Sequence, residues 1–322
     1  MIMYQRFAAL AFGLVAACAS TTPVTNVAFE GTPPSRDFRF TYQTELPAEG
    51  AGDELRLWLP IPVNTAEQKI SNLEIEASHD YVVNDLVEGT GRSLYVESTG
   101  EPIAVTISYD VHRMATAGGG TASATELAAA LEADTMIPLD GKAGLMAASV
   151  NDGTSAVETA EALYLHTLDR MRYDKPAGGD WGRGDADWAC DSRFGNCTDF
   201  HSYFMAMARA KGIPARFVMG FPIVGGDEET AKVGGYHCWA YFYDAAEGWR
   251  PVDISEADKH PDMAQFFFGN LDENRVEVIG GRDVQLDPAP AAGSLNLFIY
   301  PHAEVNGKST RKLTKSFSRK NL

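Results

Sequence analysis

With 45% hydrophobic and 22% charged side chains in 322 residues, the chain has the apolar content of a folded protein and too little charge for a disordered one. Its 27 basic against 44 acidic side chains leave a net charge of −17, which repels a phosphate backbone and excludes nucleic acid as a partner. The length exceeds an ordinary domain of ~100–200 residues, so two domains are expected.

Residues 1–17, MIMYQRFAALAFGLVAA, place one arginine ahead of an apolar run too short to span a bilayer, and they read as a signal peptide. The run ends Val15-Ala16-Ala17-Cys18, which looks like a bacterial lipoprotein processing site. That pattern makes Cys18 a lipidated first residue and predicts an exported envelope protein, facing the periplasm and touching the membrane through its anchor. Residues 18–36, with three prolines in the stretch from Thr21 to Arg36, form a tether.

From Phe38 to Arg113 the apolar residues recur with period two, as in Phe40, Tyr42 and Thr44, in Leu55, Leu57 and Leu59, and in Ile103, Val105, Ile107, Tyr109 and Val111. Short alternating runs between turns predict an antiparallel β-sandwich over 37–116, a packing or recognition module without clustered catalytic side chains. AGGGTASAT (117–125) breaks the pattern, and 117–154 reads as a linker with a short alanine-rich helix near Glu126–Ala133. Ser155 and Glu158 have capping-box spacing ahead of a helical stripe of Val157, Ala160, Tyr164, Leu168 and Met171. Residues 174–192 form a Gly-, Asp- and Trp-rich loop; its Arg183-Gly184-Asp185 spells an adhesion tripeptide, a chance word at this length.

A second helix is predicted from Cys197 to Lys211, with Asn196 as N-cap, an apolar face of Phe200, Tyr203, Phe204 and Met207, and Gly212 and Pro214 as stops. Strand-like runs ARFVMGF, YHCWAYFY and GWRPVDI follow, the last two joined as a hairpin. The catalytic unit is expected over 155–307. The last stretch, 308–322, holds six basic residues and no acids and reads as a solvated tail.

Once Cys18 is set aside, Cys190, Cys197 and Cys238 remain, an odd number that leaves at least one thiol free in an oxidising compartment. Cys197 opens a helix, where unpaired N–H groups and the helix dipole favour a thiolate. Two histidines are candidate partners. His201 lies one turn along the same helix with nothing nearby in sequence to orient it, whereas His237 lies on a hairpin strand whose return brings Asp253 beside it. Cys197, His237 and Asp253 thus satisfy nucleophile, base and orienter.

These segments together, Gly195-Asn196-Cys197, Gly212-Ile213-Pro214-Ala215-Arg216, Tyr236-His237-Cys238-Trp239 and Gly248-Trp249-Arg250-Pro251-Val252-Asp253, resemble the core of the transglutaminase-like superfamily over roughly residues 155–255. The resemblance implies an α+β chain in which a papain-like core follows the sandwich. It also implies a Cys-His-Asp triad acting on peptide or protein amides through a thioester, as amide hydrolase, cysteine peptidase or acyltransferase. The calcium sites of animal cross-linking members are not recognisable, so neither calcium nor another cofactor is expected. The Cys197 N–H supplies one oxyanion donor, and Trp181 or Trp188 is the positional candidate for the other.

Two alternatives compete. Cys190, Cys197, His201, His237 and Cys238 are zinc-ligand types, but without C-x-x-C spacing, and His237 and Cys238 point to opposite faces of a strand, so no metal is expected. The same alternation sets Cys238 outside the triad, and a Cys190–Cys238 disulfide would leave Cys197 as the single free thiol. The other alternative is an envelope protein that holds peptide or polymer without catalysis.

Overall fold

A computed structural model describes residues 29, 31–87, 90–175, 179–226 and 228–322. The expected signal peptide, Cys18 and most of the tether lie outside them. The period-two region forms six strands: β1 (Ser35–Leu46), β2 (Glu54–Ile61), β3 (Gln68–Ala77), β4 (Tyr81–Asp85), β5 (Arg92–Thr99) and β6 (Ile103–Met114). Alternation makes them two-sided. Phe38, Phe40 and Tyr42 of β1 and Val105, Ile107 and Tyr109 of β6 are buried, while the residues between them face outward. The strands divide between two antiparallel five-stranded sheets, and the inward side chains of both sheets belong to one buried cluster.

Residues 37–116 do not complete these sheets. The C-terminal stretch expected as a solvated tail instead supplies β14 (His302–Val305), β15 (Lys308–Thr310) and β16 (Thr314–Asn321). β16 lies against β1 from Phe38↔Asn321 to Glu45↔Thr314, and β14 lies against β2. The basic run lies in a strand: Phe317 and Arg319 turn inward, Lys320 faces outward between them and Asn321, and Lys315 is exposed at the start of the strand. The boundaries 155–307 and 308–322 are therefore corrected, since the sandwich is built from both ends of the described chain and the other unit is inserted between them.

In that inserted unit, α1 (Ala124–Ala129) starts earlier than expected because Ser123 and Glu126 form a capping box. α2 (Lys142–Met146) and α3 (Ala156–Arg170, capped by Ser155) follow, then β7 (Arg172–Tyr173), α4 (Ala186–Ser192), β8 (Phe194–Gly195) and α5 (Cys197–Ala210). Next come β9 (Ala215–Pro222), β10 (Thr230–Val233), β11 (His237–Asp244), β12 (Gly248–Val252), α6 (Ile254–Lys259) and β13 (Arg275–Gly280). β12, β11, β9 and β13 form an antiparallel sheet in that order, whereas β10 joins the sandwich beside β16. The linker is tied down, since Gly119 pairs with Trp249 and the Ala130 carbonyl accepts from the Ala215 N–H.

α5 was expected to bury one face. It is buried on every side, polar residues included, from Cys197 to Arg209. A fully enclosed helix needs partners for its polar groups. Arg209 donates to the carbonyls of Ala215 and Glu132 and to Asp134, and Ser202 accepts from Arg282. Gly212, at φ +75°, ends it in the left-handed conformation that side chains resist.

Candidate active site

The first turn of α5 is held by reciprocal capping. Asn196 Oδ1 accepts from the Thr198 N–H at 2.9 Å, and Asp199 Oδ2 accepts from the Asn196 N–H at 2.8 Å. The other Asp199 oxygen accepts from the Gly184 N–H at 2.8 Å, which draws the preceding loop onto the helix start. The Arg183-Gly184-Asp185 tripeptide is consumed in this way, because Gly184 O also accepts from Arg282 and Asp185 caps α4. Cys197, at the first helical position, is 2% exposed.

β11 and β12 pair as far as Ala240↔Val252, so the next residue, Asp253, comes beside the start of β11. It is fully buried and caps α6. His237 Nε2 donates to Asp253 Oδ2 at 2.7 Å, which leaves Nδ1 as the nitrogen free to face the Cys197 thiol. The histidine and the carboxylate singled out in sequence are thus in direct contact, and the thiol is close enough for the two charges to influence each other.

Arg275, at the head of β13, was not foreseen. Its Nη1 donates to the same Asp253 oxygen at 2.9 Å, its Nε donates to Asp272 at 3.1 Å, and its guanidinium lies over the Trp239 ring. Asp253 Oδ1 accepts from Ser255 Oγ and the Glu256 N–H, both at 3.2 Å. Four donors therefore hold this carboxylate. Nothing in RVEVIG marks its arginine as inward-facing.

Charges follow from these contacts. Burial disfavours the His237 imidazolium, but the Asp253 charge and hydrogen bond, together with Cys197, outweigh it and push the ring up to about 10. Asp253 is driven well below the usual carboxylate range, since the fields of His237 and Arg275 overcome its burial. Cys197 is held well below an ordinary thiol, first by a hydrogen bond from Cys238 and then, against burial, by His237. Both shifts favour a thiolate beside an imidazolium.

His201, the alternative partner, has both nitrogens engaged. Its Nδ1–H donates to the Cys197 carbonyl at 2.7 Å and its Nε2 accepts from the Ile254 N–H at 3.1 Å, a tautomer that is neutral and tethers α5 to the start of α6. Burial lowers its pKa. A zinc site built on His201 has no nitrogen left to offer, and among the described residues no group of three or more His, Cys, Asp or Glu is arranged to hold a metal.

The Cys190–Cys238 disulfide, one option left by the sequence, is not formed, since all three described cysteines are free. Cys190 sits on α4 against Arg170, whereas Cys238 faces Thr198 and His201 on α5. Alternation turns His237 toward Trp239 and Cys238 toward α5, where Thr198 and His201 meet its sulfur.

A cleft of about 680 Å³ opens beside His237, walled by Tyr173, Tyr236, Glu256, Lys259 and Arg275. Of the two candidate oxyanion tryptophans, Trp188 packs edge-on against Phe194, while Trp181 is 39% exposed and 5.5 Å from the cleft residue Tyr173. A larger cavity of about 780 Å³ lies at the opposite end of α5, against Lys211 and Gly212. It is one helix length, roughly 20 Å, from the thiol and has no part in this chemistry.

Residues 145–254 match the profile described as the transglutaminase-like superfamily. The chain is 27% identical to an uncharacterized protein of Haemophilus influenzae over 84% of its own length and 86% of that protein. Its fold is similar to that of a solved protein of Cytophaga hutchinsonii described as a candidate cysteine protease, with TM-score 0.57 and 14% identity over 88% of this chain and 92% of that one. The periplasmic domain of TgpA from Pseudomonas aeruginosa, bound to ethylmercury, gives TM-score 0.39 and 17% identity over 71% of this chain and 93% of that one.

Proposed function

We propose, for a chain that carries a domain of the transglutaminase-like superfamily at residues 145–254, that Cys197, His237 and Asp253 form a triad for thiol-dependent acyl chemistry on peptide or protein amides. One observation supports the reading: a buried thiol at a helix N-terminus lies in the field of a histidine whose Nε2 is bound to a buried carboxylate 2.7 Å away.

In this reading the Cys197 thiolate attacks the amide carbonyl. The Cys197 N–H and the indole of Trp181 receive the oxyanion, and the Nδ1–H of His237 passes its proton to the leaving amine, so that the nitrogen departs neutral. Asp253 keeps the ring oriented throughout. The acyl-enzyme then passes to water, with His237 as base and hydrolysis as outcome, or to a second amine, with acyl transfer as outcome. The cleft beside His237 is where substrate and acceptor enter. The domain is placed in the bacterial envelope, anchored through lipidated Cys18, on the strength of the Val15-Ala16-Ala17-Cys18 pattern. No described helix is long and apolar enough to cross a membrane.

The test is incubation with a peptide mixture bearing backbone and side-chain amides, with and without an added primary amine, read by mass spectrometry. A thioester on Cys197 and products absent in Cys197→Ala support the reading, and the amine arm separates hydrolysis from transfer. Equal product from the Cys197→Ala protein, or no acyl adduct with any amide, contradicts it and favours a module that binds without catalysis.

A further inference from the structure

One wall of the cleft beside His237 is tied to the sandwich. Arg36, near the start of β1, sends Nη1 to the Ile223 carbonyl at 2.9 Å and to Asn274 Oδ1 at 2.7 Å. Its Nη2 donates to the Gly225 carbonyl at 3.1 Å and to Asn321 Oδ1 at 3.2 Å, and Asn321 Nδ2 donates in turn to the Gly226 carbonyl at 3.2 Å. Ile223, Gly225 and Asn274 all line the cleft. The outermost strands of the described chain, β1 and β16, therefore fix residues 223–226, the segment after β9 that carries Val224. Val224 lines the same cleft and is 58% exposed, an apolar side chain held open to solvent by backbone contacts on either side of it.

The charges that line the cleft are already matched. Glu256 pairs with Lys259, Asp272 with Arg275 at 3.1 Å, and both His237 and Arg275 with Asp253. A charged substrate side chain entering there finds no opposite charge without a partner, and it sheds water for contacts that are taken. The remaining surface is apolar and aromatic, from Pro222, Val224, Tyr173 and Tyr236. An apolar side chain gains from covering such a wall without needing any partner group.

We infer that Val224 is a specificity-determining residue, which selects a bulky apolar side chain next to the reacting amide, and that Arg36 is the positioning residue that sets Val224 in place. This rests on the reading of the cleft as the entry for an amide substrate. It gives the sandwich a part in recognition, since one of its strands holds the substrate wall of the unit that carries Cys197, His237 and Asp253.

The experiment measures binding, so that it does not depend on turnover. Fluorescein-labelled pentapeptides Ala-Ala-Xaa-Ala-Ala, with leucine, glycine, aspartate or lysine at Xaa, are titrated into the full chain carrying Cys197→Ala and read by fluorescence polarisation. The leucine peptide binds about fivefold to tenfold tighter than the glycine peptide, as burial of roughly half a leucine side chain gives, and the aspartate and lysine peptides bind no tighter than glycine. In the same background Val224→Ala cuts the leucine advantage to about twofold and leaves the glycine peptide and the urea midpoint unmoved, because the side chain is exposed. Arg36→Met cuts the advantage as far when Val224 is present and no further when it is alanine, a non-additivity that general loosening of the fold does not produce. Equal binding of the leucine and glycine peptides, tighter binding of a charged peptide, or no binding of any peptide overturns the inference. So does an unchanged leucine advantage in Val224→Ala, and additive effects of the two substitutions overturn the role of Arg36. A wild-type chain that binds the leucine peptide with this preference yet forms no acyl adduct on Cys197 contradicts the nucleophile reading instead, and the specificity of the cleft stands.

Discussion

Replacing Arg275 by methionine keeps the bulk of the side chain over Trp239 and removes the guanidinium between two carboxylates. In the folded protein that group is 3% exposed and donates at 2.9 Å to Asp253 and 3.1 Å to Asp272. Removing one partner of a buried ion pair typically costs ~3–5 kcal/mol because the other charge is left uncompensated. Two features reduce the figure here. Asp253 keeps His237, Ser255 and the Glu256 N–H as donors, and Asp272 is 34% exposed and can be hydrated. A loss of about 2–4 kcal/mol is expected for Arg275→Met, measured by urea unfolding with the m-value unchanged. Neutralising the second carboxylate as well, in Arg275→Met with Asp272→Asn, returns about 1 kcal/mol, since one stranded charge is gone. Arg275→Lys gives an intermediate loss, because a single ammonium cannot reproduce the fork to both oxygens. An Arg275→Met protein within about 0.5 kcal/mol of wild type refutes the assignment of Arg275 as the anchor of Asp253.

Other consequences are independent of that pair. Burial raises Asp199 to about 6 although Asn196 and Gly184 donate to it. A carboxyl raised on folding contributes stability that is present below its unfolded range near ~4 and lost as pH rises through about 6. Wild type should therefore lose about 2–3 kcal/mol relative to Asp199→Asn between those limits, and parallel stability curves contradict this. A β-carbon at Gly182 meets Asp199 Oδ1 at 2.1 Å and Trp188 at 2.3 Å, so Gly182→Ala should destabilise by about 1–3 kcal/mol in urea unfolding, and a neutral result means the loop is not clamped as described. Removal of residues 312–322 takes out β16, the partner of β1 along most of its length, and should abolish soluble folded protein by circular dichroism, which loss of a dispensable tail does not do.

Much of this architecture is legible in the sequence because its causes are local. Alternation along β1 and β6, the Ser155 and Asn196 caps and the Gly212 stop are each decided within a few residues of chain. The approach of Asp253 to His237 is nearly as local, since one short hairpin brings them together. What escaped reading depends on distant segments. The pairing of β16 with β1 joins residues from Phe38↔Asn321 to Glu45↔Thr314, 283 to 269 positions apart, and the same alternation of charged and apolar residues suits either a strand edge or a solvated tail. Arg275 approaches Asp253 only because β13 packs beside β9, a sheet order no spacing announces. Cys238 was set aside by a rule of strand geometry, and opposite faces do separate it from His237: its sulfur meets Thr198 and His201.

The central claim is that Cys197 and His237 form an ion pair. It is tested most directly by comparing the pH dependence of iodoacetamide labelling at Cys197 and Cys190 in wild type and His237→Ala. Fast labelling of Cys197 at about pH 6, more than two units below the ordinary thiol range of ~8.5, with Cys190 silent and the advantage lost in His237→Ala, is the predicted result. Labelling of Cys197 that tracks an ordinary thiol, or that is unchanged by His237→Ala, contradicts the account.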